Sequence, residues 1–248
     1  MSDTPPPLQP ESPQYAAPNQ GGSAPSGSSG KKWGIGCGIG CLVVLVVGAV
    51  LAIVGFNLLK KAAVSFVESN TSDVPVELLA PEVSQPVIES AIKRFDDFCA
   101  SLEGGEITGP LVLTDEDINA LIANHPDFSA VSEAMVVSID GDSLSSEVSV
   151  SLDDLNLPPS FLTESIAGKY FNGEVTLSLG MVGGNPAMFI EALSLGGNPI
   201  PSQFMTELSK ENILKEAQSD PEMQKFFDKI EAMEVKEGKL TIVPSGGQ

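Results

Sequence analysis

Side chains able to do acid–base or nucleophilic chemistry are sparse in this sequence and scattered along it. There is one histidine, His125, directly before Pro126. A histidine acting as general base needs a nucleophile within hydrogen-bond reach and an acid to orient its ring. At the end of a helix it has a simpler role, bonding the last carbonyls and complementing the negative pole, and that is the expectation for His125. Cys37 and Cys41 lie in a long apolar run, and Cys99 is alone in the rest of the chain, so no disulfide framework is encoded. Cys99 is expected to pack as a small hydrophobe.

Familiar catalytic and metal patterns are incomplete. Gly141-Asp142-Ser143-Leu144-Ser145 approaches a nucleophile elbow but lacks its last glycine. Asp140-Gly141-Asp142 starts like a calcium loop, yet Ser145 and Ser151 stand where such a loop has Gly and Glu. It reads as a turn. The neighbouring pairs Asp96-Asp97 and Asp153-Asp154 point apart on a helix or strand and read as solvated surface. One histidine and one cysteine outside the apolar run do not suit a zinc site. No catalytic residue, cofactor or metal is assigned, and a non-enzymatic role is expected. Met135, Met181, Met188 and Met205 fall near predicted core positions. Flexible thioethers either fill a core or line a pocket that adapts to apolar ligands, so these four are the candidate pocket lining.

The chain is organised around residues 33–59, a run of 27 positions without a charge, with Lys31 and Lys32 before it and Lys60 and Lys61 after it. Roughly 20 apolar helical residues cross a bilayer, so this run predicts a single transmembrane helix with length to spare for tilt. Gly34, Gly36, Gly38 and Gly40 create two Gly-x-x-x-Gly spacings, which let helix backbones approach closely and mark a candidate face for a homo-oligomer. Residues 1–32 form a tail whose first 30 positions hold seven Pro, six Ser and four Gly, expected to stay disordered. Pro7-Leu8-Gln9-Pro10 within it fits a minimal polyproline ligand pattern. The flanking lysines balance, so the positive-inside rule does not decide orientation. The weight given to the first flank and the acidity of the C-terminal domain favour a signal-anchor with that domain extracytoplasmic.

After Lys61 come 31 acidic and 9 basic residues. Such a surface repels phosphate backbones, which excludes nucleic acid as a partner and disfavours anionic lipid headgroups. Residues 60–83 read as a spacer interrupted by Pro75 and Pro81, and residues 84–248 as one soluble acidic domain. A helix is predicted from Ser84 to Gly104-Gly105, with Phe95 and Phe98 on its apolar face, then a strand over 106–113. Thr114 and Asp117 have the spacing of a capping box, opening a helix that Pro126 stops. Strands are predicted over 135–139, 144–152, 170–181 and 187–195, with Gly183 to Pro186 as a turn. Helices follow over 202–218 and 221–229, and the chain closes with a hairpin over 232–243 around Glu237-Gly238. The fold class is α+β: a single N-terminal transmembrane helix followed by a mostly antiparallel sheet packed with helices.

The stretch Leu113 to Ile122 (LTDEDINALI), the later Asn198-Pro199-Ile200-Pro201 and the closing hairpin together resemble the YpmS-like bacterial single-pass membrane-anchored proteins. That likeness spans about residues 107–243. It implies an anchored external domain and no catalytic residues. The order of elements is also similar, more distantly, to the tubular lipid-binding modules, which implies a curved sheet around an apolar cavity. The expectation is a membrane-anchored, non-enzymatic protein whose domain binds a lipid-like ligand or a partner protein. A scaffolding role, through the glycine-rich span and the Pro-rich tail, is the alternative.

Overall fold

A computed structural model describes residues 70–105, 109–129, 131–155, 167–215 and 217–246. The apolar run at 33–59, with Gly34, Gly36, Gly38 and Gly40, and the tail before it lie outside these residues. Among the described residues no helix is long and apolar enough to cross a membrane.

The described part is α+β. Its first helix, α1 (Gln85–Gly104), buries Ala91, Phe95, Phe98, Cys99 and Leu102 along one stripe, and Gly105 ends it in the left-handed conformation. Strand β1 (Leu111–Leu113) leads into α2 (Asp115–Asn124). There the predicted capping box is complete: the Thr114 hydroxyl accepts from the Asp117 N–H, and the Asp117 carboxylate accepts from the Thr114 N–H. The same carboxylate bonds Arg94 of α1, whose other guanidinium nitrogen donates to the Val112 carbonyl at 2.6 Å. One arginine thus ties α1, β1 and the start of α2 together.

Strands β2 (Met135–Asp140), β3 (Ser143–Ser151), β4 (Tyr170–Val182), β5 (Asn185–Leu195) and β6 (Asn198–Pro199) form an antiparallel sheet in that order. A second antiparallel sheet runs β1-β8-β7, with β7 (Ile230–Lys236) and β8 (Lys239–Pro244) closing the chain. Register places two residues in each of the four hairpin turns. Such turns match strand twist when both central residues take positive φ. Gly183 (62°) and Gly184 (85°) do so freely, whereas Glu237 (51°), beside Gly238, is the one non-glycine at positive φ among the described residues. Because two residues suffice, Asn185 and Pro186 belong to β5 and not to the longer turn predicted over 183–186.

The largest departure from expectation is at 202–218. A single helix is predicted there, but α3 (Ser202–Leu208) is short, and a 3-10 turn (Ala217–Ser219) follows before α4 (Pro221–Phe227). The intervening chain serves the outer edge of β5. Ile200 donates to the Leu193 carbonyl (2.9 Å), Ile213 to the Met188 carbonyl (3.0 Å), and Gln218 Nε2 to the Pro186 carbonyl (2.6 Å). The Asn212 side chain accepts from the Met188 N–H at 3.1 Å. Buried strand groups without partners would cost more than a helix of this length gains. Leu214, Phe226 and Phe227 are driven fully into the core by the same arrangement.

The opposite edge is treated similarly. Asn119, buried on α2, accepts from the Val137 N–H (2.8 Å) and donates to the Val137 carbonyl (2.7 Å), standing in for one rung of a neighbouring strand. Asn119→Ala strands both backbone groups in a buried place. The expected loss is about 2–4 kcal/mol, read as a lower denaturation midpoint of the full chain, whereas Asn124→Ala shifts it far less.

Candidate functional site

Residues 70–83 fall within the predicted spacer; up to Leu78 they lie as a strap against the sheet face turned away from the core, and Val83 packs against the core itself. Ser72 and Tyr170 exchange N–H···O bonds of 3.0 and 2.7 Å, an isolated antiparallel rung. Beyond it Pro75 has no N–H to offer, so regular strand pairing stops. Side chains take over. Ser149 of β3 and Asn172 of β4 are register partners, both buried, and the Ser149 hydroxyl donates to Asn172 Oδ1 at 2.8 Å. The Val76 N–H donates to Ser149 Oγ (3.1 Å) and Asn172 Oδ1 (3.3 Å), while Asn172 Nδ2 donates to the Val74 carbonyl (3.1 Å). Lys169 adds an ion pair to Asp73 at 3.8 Å. The alternation of serine with valine along β3 indicates an outward face, but linear sequence carries no sign that the chain's own N-terminal segment covers part of it.

Between the strap and the sheet runs an open cleft of about 520 Å³. Val76 and Leu78 form one wall, and Glu147, Asn172, Glu174 and Ser194 form the floor. Glu147 and Glu174 are direct cross-strand partners, both exposed, and no basic residue lines the cleft. Like charges placed opposite each other destabilise a sheet slightly. Gly173, between them and the β5 edge, admits no side chain, because a Cβ there would sit 2.6 Å from the Ser194 carbonyl oxygen. A second open cleft of about 630 Å³ lies between α1 and residues 109–112, lined by Arg94, Asp97, Phe98 and Leu111 among others.

The residues singled out from sequence do not converge on either cleft. Met135 and Met188 are buried in the core, Met205 is half-buried against it, and Met181 is partly exposed on β4. Neither cleft is lined by a methionine. His125 is buried against Phe95 and Phe128, with ring centroids 5.1 and 5.8 Å away. Its backbone ends α2 as expected, but its ring does not bond the helix carbonyls. Nδ1 accepts from the Asp127 N–H (3.2 Å), capping the 3-10 turn Pro126–Phe128, and Nε2 faces Asp96 Oδ1 at 3.1 Å. That pattern assigns the proton to Nε2. The correction has a plain cause: Pro126 begins a second short helix, and its free N–H groups compete for the ring.

Asp142 accepts from the Glu237 N–H at 3.1 Å, joining the tips of the β2–β3 and β7–β8 hairpins, so Asp140-Gly141-Asp142 is a turn. Asp153 accepts from the Gly168 N–H, and Asp97 pairs with Lys93 on the exposed face of α1. Among the described residues no group of three or more His, Cys, Asp or Glu is placed to hold a metal. Comparison with family models, curated proteins and solved structures gives no match for this chain.

Cys99 is buried as expected. Burial first, then the charges of Asp96, Asp127 and Glu103, push its thiol up from 9.0 to about 12. A folded pKa above the unfolded one stabilises the fold fully below about pH 9, and that contribution is lost as pH rises toward 12. At pH 8 the thiol is therefore protonated and shielded. In a Cys37→Ala, Cys41→Ala chain, a disulfide reagent at pH 8 is expected to label Cys99 only after denaturation. For the strap, Asn172→Ala removes its main clamp. Hydrogen exchange at the Val76 amide is expected to accelerate by about tenfold or more while β4 amides keep their protection.

Proposed function

We propose that this protein is a single-pass membrane-anchored binding module, non-enzymatic, whose acidic α+β domain stands outside the cytoplasm and engages a partner protein. The observation that carries the reading is the 27-residue uncharged run, followed by a segment holding 31 acidic and 9 basic residues. Such a run partitions into hydrocarbon, and such a domain stays soluble beside it. Both described clefts are open and lined by mixed polar and apolar side chains, which suits a protein surface better than an enclosed acyl chain. The pinned strap supports the same reading, since it mounts the sheet directly on the chain that leads from the run. The Gly34 to Gly40 spacing supports self-association of the span as an accompanying feature.

High-speed sedimentation tests the anchor: the full chain is expected in the membrane pellet and in the supernatant only with detergent. Full recovery in the supernatant without detergent overturns it. Protease added to intact cells is expected to remove the C-terminal domain, and protection until lysis reverses the orientation. Lipid extraction with mass spectrometry separates the ligand classes, because a stoichiometric acyl lipid on the domain would replace the protein partner with lipid carriage.

A further inference from the structure

We propose that the strap is also a lipid-contacting edge: Val74, Val76 and Leu79 rest on the interface of a zwitterionic bilayer. The inference rests on the anchored reading above. Among the described residues, the exposed large apolar side chains are Val74 (65%), Val76 (50%), Leu79 (79%) and Val182 (57%). Three of these four fall within six residues of one another. Single exposed apolar side chains are ordinary, but a concentrated set marks a contact surface. For Val74 and Val76 that exposure is fixed by the fold. The Val74 carbonyl and the Val76 N–H are committed to Asn172 and Ser149, so the backbone cannot roll to tuck these side chains under. In an extended segment, residues two apart share a side, which presents Val74 together with Val76, half exposed at the rim of the cleft it lines.

Chain length names the occupant. Only residues 60–69 separate the end of the apolar run from the strap. Whatever their conformation, ten residues span at most about 36 Å. The strap therefore stays near the bilayer at a high effective concentration, whereas a soluble partner arrives at its bulk concentration. Charge sets the lipid class. Lys169 offsets Asp73, but Glu77 and Glu82 flank the apolar residues, so an anionic surface is disfavoured and a zwitterionic one is accepted.

The test uses the full chain with Cys37→Ala and Cys41→Ala, reconstituted in phosphatidylcholine nanodiscs. An environment-sensitive fluorophore is placed at Val74→Cys, at Leu79→Cys, or at Val182→Cys as the control. Val182 lies twelve residues along β4 from Tyr170, about 40 Å from the strap rung. Lipids carrying a shallow nitroxide are expected to quench positions 74 and 79 about twofold or more over position 182, as for side chains at the headgroup–acyl boundary. Replacing part of the lipid with phosphatidylglycerol at low salt is expected to reduce that quenching, and added salt to restore it. Equal quenching at all three positions in chains held by the disc overturns the lipid edge and leaves the anchor standing. A spectral shift that requires two labelled chains per disc assigns the patch to a second copy and also overturns it. Failure of the chain to enter the disc overturns both readings.

Discussion

A strand taken out of water must find partners for its N–H and C=O groups, and this requirement shapes most of the irregular structure here. The main sheet has two edges, and neither is left bare. Asn119 supplies both a donor and an acceptor to Val137 at the β2 edge. At the β5 edge, Ile200, Ile213 and Gln218 donate and Asn212 accepts, and a regular helix is given up to allow it. Hydrophobic burial follows from these pairings, since the segment that closes the β5 edge also seats Leu214 and leads into Phe226 and Phe227.

The strap extends the same logic from edges to a face. Ser149 and Asn172 are polar residues on the outward side of their strands, where water would satisfy them. They are buried because residues 72–76 lie over them and replace that water bond for bond. The result is a domain whose N-terminal segment is pinned to the sheet opposite the core, beside an open cleft with acidic residues on its floor. This mount is the most specific feature connecting the fold to the proposed anchored role.

Local patterns were readable wherever neighbours in sequence are also partners in space. The Thr114–Asp117 box, the apolar stripe of α1 and the Glu237-Gly238 turn all depend on short-range spacing, and each forms as read. Cys99 likewise goes into the core. Arrangements that depend on distant partners were not readable. The helix predicted over 202–218 yields to the β5 edge, where Asn212 and Gln218 find partners 24 and 32 residues upstream. His125 turns from its own helix toward Asp127 and Asp96 because the chain after Pro126 offers a new amide. The clamp of Val76 by Asn172 spans 96 residues, and nothing about an asparagine in an alternating strand announces it.

The strap also decides how the molecule bears mechanical load. Tension arriving from the N-terminal side meets the Ser72–Tyr170 rung and then the Asn172 clamp before it reaches any core side chain. Releasing residues 72–84 would let out roughly 40 Å of slack at extended-chain dimensions. The sheet, its two protected edges and the aromatic interior would keep their shape while the leash lengthens.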